Sequence, residues 1–393
     1  MRKVAATAML PLLAGFLVLF VGGGARFAIG LTFKPIVDHF NWDRSDLGLS
    51  VAAFQVVSAV TMFLAGYVAD RTGPRPILIA GMLMGAVGIG LMAVIAAPWH
   101  AFVLYGVIFA IGNGAASVIP VGVMVTRAFP NRAGLANSVV ISGLSLGQLV
   151  IIGSLAAVLV TWSWQSVFVM LGVAHLAIVP LLFWTIPRAQ AGPIASQPSE
   201  GMSVAEAART RNFWMLLAVY AICGFDDFFV STHVVAFAQD RGLATLLAGN
   251  LLAVMGLTAL LGVFAAGALS DRLGPAWPTA ASFVARILAF GLLMVDQSVV
   301  SIAIFALVFG ATFLVTAPLT VLFVSDNFGT RHLGSLTGLI TLVHHMCGAA
   351  GAYLGSAAFD STGSYDVVFP IMLGSSVVAL LFTLPLRKSS RRG

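Results

Sequence analysis

Eight side chains able to carry charge or a proton stand inside otherwise apolar stretches: Arg26, His175, Asp226, Asp227, His233, Arg286, His344 and His345. A guanidinium can hold a carboxylate through two parallel hydrogen bonds. A carboxylate beside it gains or keeps its proton according to whether that partner is engaged. An imidazole, with an ordinary pKa of about 6.5, can pair with either form near neutral pH. This is the chemistry of anion binding and proton exchange. The sequence offers no cofactor loop, metal-ligand spacing or nucleophile-base pair, so neither a cofactor nor an enzymatic reaction is expected.

Composition says what must position these groups. Of 393 residues 60% are hydrophobic and 9% charged, and the mean hydropathy is +1.02. A soluble domain carries roughly a quarter charged residues, which excludes that class. The length accommodates about twelve spans of roughly 20 residues, and 41 glycines suit close helix packing in lipid. Met1-Arg2-Lys3 precedes an apolar run too long for the core of a signal peptide, so it reads as the first span. Apolar runs predict helices near 8–33, 46–69, 77–97, 100–126, 134–160, 165–186, 212–238, 244–270, 277–296, 298–324, 333–359 and 366–386. Cys223 and Cys347 fall within them and read as small buried thiols, with no sign of a disulfide or metal site.

Most of the 20 Lys and Arg residues lie at the N-terminus, in the even-numbered connections and in the tail Arg387, Lys388, Arg391 and Arg392. The odd connections carry Asp38, Asp43, Asp46, Asp240, Asp296, Asp360 and Asp366 against Arg44 and Arg241. The positive-inside rule then puts both termini in the cytoplasm. It also accounts for the formal charge of +6 without a nucleic-acid partner. Residues 187–211, broken by Pro187, Gly192, Pro193 and Pro198, read as a linker between residues 1–186 and 212–393. Within it, Ser203-Val204-Ala205-Glu206 has the spacing of a capping box.

One stretch is repeated. Gly66-Tyr67-Val68-Ala69-Asp70-Arg71-Thr72-Gly73-Pro74 returns 201 residues later as Gly267-Ala268-Leu269-Ser270-Asp271-Arg272-Leu273-Gly274-Pro275. Duplication implies two homologous halves. Asp70 and Asp271 sit near helix C-termini, where the macrodipole disfavours a carboxylate unless it is paired. A contact made in one conformation and released in another would explain both. The offset also makes Arg26 and Asp227 equivalent, one in the first helix of each half. A substrate carboxylate could compete with Asp227 for Arg26, with Asp227 as the proton-responsive group. Asp226 points about 100° away and should not share a partner with it.

This G-x-x-[AS]-D-R-x-G-P loop, present twice, resembles the signature of the major facilitator superfamily. The resemblance covers the chain. It implies an all-α membrane protein of twelve transmembrane helices in two pseudo-symmetric six-helix bundles, with a central site open to each side in turn. It implies a gate at Gly66, Asp70, Arg71 and Gly73, with Asp271 and Arg272 as the second-half counterparts. Arg26-Phe27-Ala28-Ile29-Gly30, Asn41-Trp42-Asp43-Arg44-Ser45, Phe129-Pro130-Asn131-Arg132-Ala133-Gly134-Leu135-Ala136 and Asp360-Ser361-Thr362-Gly363-Ser364-Tyr365 are similar to the bacterial monocarboxylate and oxalate/formate porter branch. That branch often carries an arginine in its eighth span, where this chain has Gly262-Val263-Phe264-Ala265-Ala266. Anion binding would then fall to Arg26 with His344 or His345, edged by Asn113, Gln148 and Asn250 and walled by Phe225, Phe228 and Phe229. His175 and Arg286 are expected to be structural, the latter turned inward to carbonyls. His233 suits either an outer cavity or packing.

The reading is a monomeric, multi-pass transporter of the cell (inner) membrane, moving a small mono- or aromatic carboxylate with protons. Efflux of a cationic or neutral compound at Asp226 or Asp227 is the alternative. A non-transporting membrane sensor is a third possibility.

Overall fold

The computed structural model describes residues 2–129, 133–186 and 201–386, without the side chains of residues 2–8, Asp70 and 133–135. Most of the 187–211 linker, the Pro130–Arg132 part of one motif, and the basic tail therefore lie outside the described residues, as does the side chain of Asp70 as a gate partner. Twelve helices are long and apolar enough to cross a membrane: α1 (Met9–Phe40), α2 (Arg44–Ala69), α3 (Pro74–Val94), α4 (Pro98–Ala128), α5 (Ala136–Thr161), α6 (Trp164–Thr185), α7 (Arg211–Asp240), α8 (Thr245–Leu273), α9 (Ala276–Val295), α10 (Val299–Phe328), α11 (Leu333–Thr362) and α12 (Val368–Leu386).

The expected helices are all present, and the largest boundary difference is informative. α1 runs to Phe40, seven residues past the apolar stretch, because Lys34 and Asp38 pair at 3.2 Å one turn apart and keep the polar end helical. Both hinges turn on glycine: Gly73 (φ 83°) and Gly274 (φ 79°) adopt a conformation that L side chains avoid. The capping box forms as its spacing predicts, with Ser203 N donating to Glu206 Oε2 at 2.7 Å and Glu206 N to Ser203 Oγ at 3.2 Å.

The duplication is visible in packing. Gly23 of α1 sits where a Cβ would meet the backbone of Leu144 in α5. Gly224 of α7, 201 residues on, sits against the backbone of His344 in α11. Each half thus crosses its first and fifth helices backbone to backbone, which only glycine permits at this distance.

The two ends of the molecule differ. At the end remote from the hinges, called distal below, one continuous apolar core joins both halves: Phe33, Leu47, Phe54 and Phe168 merge with Phe229, Phe237, Phe309 and Phe369. Towards the hinges the core divides. Val18, Leu78, Val121 and Leu182 form one cluster within the first half, and Leu216, Phe283, Leu319 and Phe323 another within the second. The close approaches between halves are distal too. Gly30 abuts the Ser231 carbonyl, Gly48 abuts Ser356, and Gly256 leaves 2.9 Å between a notional Cβ and the Ser145 carbonyl. Phe63 reaches towards Gly338 nearer the hinges but stays 63% exposed. The halves are joined distally and parted at the hinge end.

Candidate functional site

α7 brings Asp226 and Asp227 into the second half, where both are sealed from solvent. Unpaired, each would cost several kcal/mol in a membrane interior. Arg286 of α9 supplies the counter-charge: its Nη2 lies 2.7 Å from Asp227 Oδ1, and its Nη1 3.9 Å from Asp226 Oδ2. Two sequence expectations change here. The adjacent aspartates do share a partner, because 100° of helix rotation straddles a guanidinium broad enough to meet both. Arg286 does reach carbonyls, those of Thr312 (3.2 Å) and Cys223 (3.5 Å), but it is also the ion-pair partner of Asp227.

The two carboxylates differ in what else they hold. Asp226 is fully engaged: Ser375 and Ser376 of α12 donate to it at 3.0 and 2.8 Å. Asp227 is less so. Its Oδ1 meets Arg286 at ion-pair distance without an aligned hydrogen bond. Its Oδ2 receives only the weak Cys223 thiol at 3.4 Å and faces His344 Nε2 at 4.0 Å. His344 Nδ1 bonds the Tyr220 carbonyl at 3.2 Å. A carbonyl only accepts, so Nδ1 carries hydrogen and a neutral His344 presents a bare lone pair to Asp227. Two acceptors facing each other call for a proton between them.

Cys223, Asp227 and His344 place their donor atoms within 4.8 Å of one another, a grouping that could hold a metal ion and that the sequence spacing did not reveal. The guanidinium 2.7 Å from the same carboxylate disfavours a second cation there. The grouping reads as a hydrogen-bonded cluster.

Arg26 of α1 is not the partner of Asp227 in this structure. Its guanidinium lies 5.1 Å from the ring of Phe27 and 5.6 Å from that of Phe228, and no carboxylate pairs with it among the described residues. Tyr105 fixes its backbone by donating to the Arg26 carbonyl at 3.0 Å. Tyr105 lies in a π-helical stretch of α4, Phe102–Phe109. Gln148 begins another in α5, Gln148–Ile152, and such wide turns recur at functional sites.

The remaining candidates separate. His345 is half-buried, its Nδ1 bonded to the Thr341 carbonyl at 2.9 Å and its ring 5.4 Å from Phe228. Asn113 reaches the Gly22 carbonyl at 3.4 Å. Gln148 is buried and crosses between halves to the Leu252 carbonyl at 2.9 Å. Asn250 is half-buried on α8. His175 bonds the Leu171 carbonyl at 2.8 Å. His233 packs rather than lining a cavity: it is buried against Phe33 and Phe229, with Nε2 on the Ala352 carbonyl at 2.8 Å. In the hinges, Arg71 lies over the Tyr67 ring at 4.1 Å, while Asp271 and Arg272 are exposed. A cavity of about 400 Å³ lies beside the second hinge, lined by Gly274, Trp277, Asn327 and Pro385, away from the charged cluster.

A distal network had only its sequence motifs to announce it. Arg44, at the start of α2, is buried and reaches across to the second half, to Asp240 (2.6 Å) and to the Tyr365 hydroxyl. It also covers the Phe359 ring. Lys34 meets Asp240 at 3.1 Å. Tyr365 donates to His233 Nδ1 at 3.1 Å, since His233 Nε2–H is spent on a carbonyl. Burial pushes the Tyr365 phenol well above its usual range, so it remains the donor.

Known proteins match along the whole length. The sequence profile of the Major Facilitator Superfamily matches residues 15–352 and 216–393. The uncharacterized MFS-type transporter YcxA of Bacillus subtilis is 27% identical, over 92% of each chain. Monocarboxylate transporter 13 of Rattus norvegicus is 23% identical, over 92% of this chain and 85% of its own. Among solved structures, a mutant of the nucleoside transporter NupG superposes with a TM-score of 0.81 at 14% identity, over 97% of this chain and 99% of that one.

Proposed function

Because the chain belongs to the major facilitator superfamily, and so is a transporter, we propose that it carries a small mono- or aromatic carboxylate, coupled to protons, by alternating access. The observation that carries this reading is Arg26: a half-buried guanidinium between Phe27 and Phe228 with no carboxylate partner among the described residues. Such a group is satisfied by an anion arriving from outside, and the flanking rings suit an apolar or aromatic body. The likeness to monocarboxylate transporter 13 supports the same substrate class.

Asp227 is the proton-responsive group. An anion on Arg26 would offset a positive charge facing the same site, which favours a proton in the gap between Asp227 and His344. His344 and His345 complete the site, with Asn113 and Gln148 at its edges. Basic connections at the hinge end support a cytoplasmic hinge side and both termini in the cytoplasm of a bacterial inner membrane. On that orientation the closed distal end faces outward. Residues 1–186 and 212–393 would rock as a monomer about the 187–211 linker, with the paired Gly66–Gly73 and Asp271–Arg272 loops gating the inner side.

Efflux of a cation has one observation in its favour: two aspartates share a single arginine in the cluster. Uptake of labelled carboxylates into proteoliposomes under an inward proton gradient separates the two. Gradient-driven accumulation that Arg26→Ala abolishes is the expected result. Absence of uptake, with drug counterflow present, would overturn the anion reading.

A further inference from the structure

We infer that two carboxylates take turns capping the N-terminus of α2: Asp360 of the second half while the distal end is closed, and Asp43 when it opens. The first N–H groups of a helix have no partner of their own and must find one. Here Asp360 Oδ1 accepts from Arg44 N at 2.9 Å and Oδ2 from Ser45 N at 2.7 Å. A helix of one half is thus capped by a side chain of the other. The Asn41–Ser45 and Asp360–Tyr365 motifs, far apart in sequence, meet at this point.

Asp43 stands at the N-cap position itself, with φ −69° and ψ 149°, the extended backbone a cap requires, yet its side chain makes no cap bond. Aspartate is among the best residues for the task. An N-cap side chain normally takes the N–H two or three residues on. Asp46 N already bonds the Asp43 backbone carbonyl at 3.2 Å, so the N–H for which Asp43 and Asp360 compete is Ser45 N. In the closed state Asp360 holds it, and Asp43 is exposed.

When the halves separate distally, Asp360 leaves with α11, and Arg44 loses Asp240 and Tyr365. Without a replacement, the first N–H groups of α2 would lose their side-chain cap, and Asp46 alone would answer the dipole from within the first turn. Asp43 needs only a side-chain rotation to supply the cap. The exchange lowers the cost of opening and so brings the two states closer in free energy. The second half has no counterpart: the equivalent N-cap of α8, 201 residues on, is Ala244, which has no side-chain acceptor. The inference rests on the transporter reading only in requiring that the distal end open.

The test measures the distance between spin labels at Val94→Cys and Val299→Cys, exposed positions at the distal ends of α3 and α10, in full-length, ligand-free protein. Cys347→Ser removes the half-buried thiol. Arg44→Ala is the background, because losing the side-chain part of the latch brings both states into range. Asp360→Asn should raise the open-to-closed ratio. Asp43→Ala should lower it about fivefold, the equivalent of about 1 kcal/mol for one cap, and Asp43→Ser should restore it. An unchanged or higher ratio in Asp43→Ala overturns the exchange, even if Asp360→Asn opens the end. A distribution that stays closed in Asp360→Asn overturns it as well. No substrate is added, so failure of the carboxylate reading would leave this result intact.

Discussion

Arg286 and Asp227 meet at 2.7 Å with their side chains 0% and 3% exposed, between two helices of the same half. This pair lies within one half, so Asp227 is not spent on Arg26 across the two halves. Arg26 is thereby left without a fixed partner, and that division of labour sets the first two predictions.

Replacing Arg286 by methionine strands two carboxylates in an apolar interior. Breaking a buried pair from one side costs about 3–5 kcal/mol. A large drop in the thermal midpoint of the detergent-purified protein is expected, with partial recovery on adding Asp227→Asn. An unchanged midpoint would show that the cluster is hydrated or already protonated.

Arg26→Ala should leave the ligand-free protein close to wild-type stability, because its guanidinium rests on rings rather than on a carboxylate. Carboxylate affinity should fall about 10–100-fold, as expected for a charge-assisted contact worth roughly 1.5–3 kcal/mol. Thermal-shift titration with a series of acids reads both quantities at once. Loss of stability without loss of affinity would make Arg26 a packing residue.

Asp227→Asn should abolish acceleration by an inward proton gradient while sparing substrate counterflow, since exchange requires no net proton movement. His344→Gln removes the facing lone pair and should weaken the gradient response without eliminating it. Parallel uptake and counterflow assays in proteoliposomes decide this. Equal loss of both activities in Asp227→Asn would point to substrate contact or misfolding.

The capping box before α7 carries a pH signature. The Ser203 amide holds the Glu206 carboxyl below its usual range. A depressed folded-state pKa contributes stability above the unfolded value, about 4.3, and loses it as pH falls through the folded value. The protection of amides over residues 201–210, after correction for the intrinsic pH dependence of exchange, should therefore fall as pH drops below the usual carboxylate range. Glu206→Gln should exchange at a rate with no such step. An identical profile in both proteins would mean that the box does not order this turn.

Much of the architecture was legible because it follows from one-dimensional signals. Apolar runs set the helices, Gly73 and Gly274 the hinges, and the 201-residue offset the two halves. The same offset relates Gly23 to Gly224, a pairing that only the structure revealed as crossing points. It could not say which arginine Asp227 would meet. Helix 9 shows nothing in its periodicity to distinguish an inward Arg286 from a peripheral one, and its reach depends on the tertiary position of Thr312 and Cys223. His233 was ambiguous for a related reason: its partners, Ala352 and Tyr365, lie more than 100 residues away. The distal latch was present as motifs, yet their meaning depended on bringing residue 44 beside residues 240, 360 and 365.

The glycine seams between the halves have a mechanical consequence. At Gly30 one helix rests on the backbone of the other half, and at Gly48 and Gly256 it rests on the side chains of Ser356 and Gln148 with no side chain of its own in the seam. Such seams resist sliding less than two interlocked side-chain surfaces would, although the apolar core shared by the halves must still be parted. The Arg44, Lys34, Asp240 and Asp360 contacts hold the same end together with that core. On that account salt should loosen only the exposed edge of the rim, at Lys34 and Asp38, and spare the buried Arg44 contact.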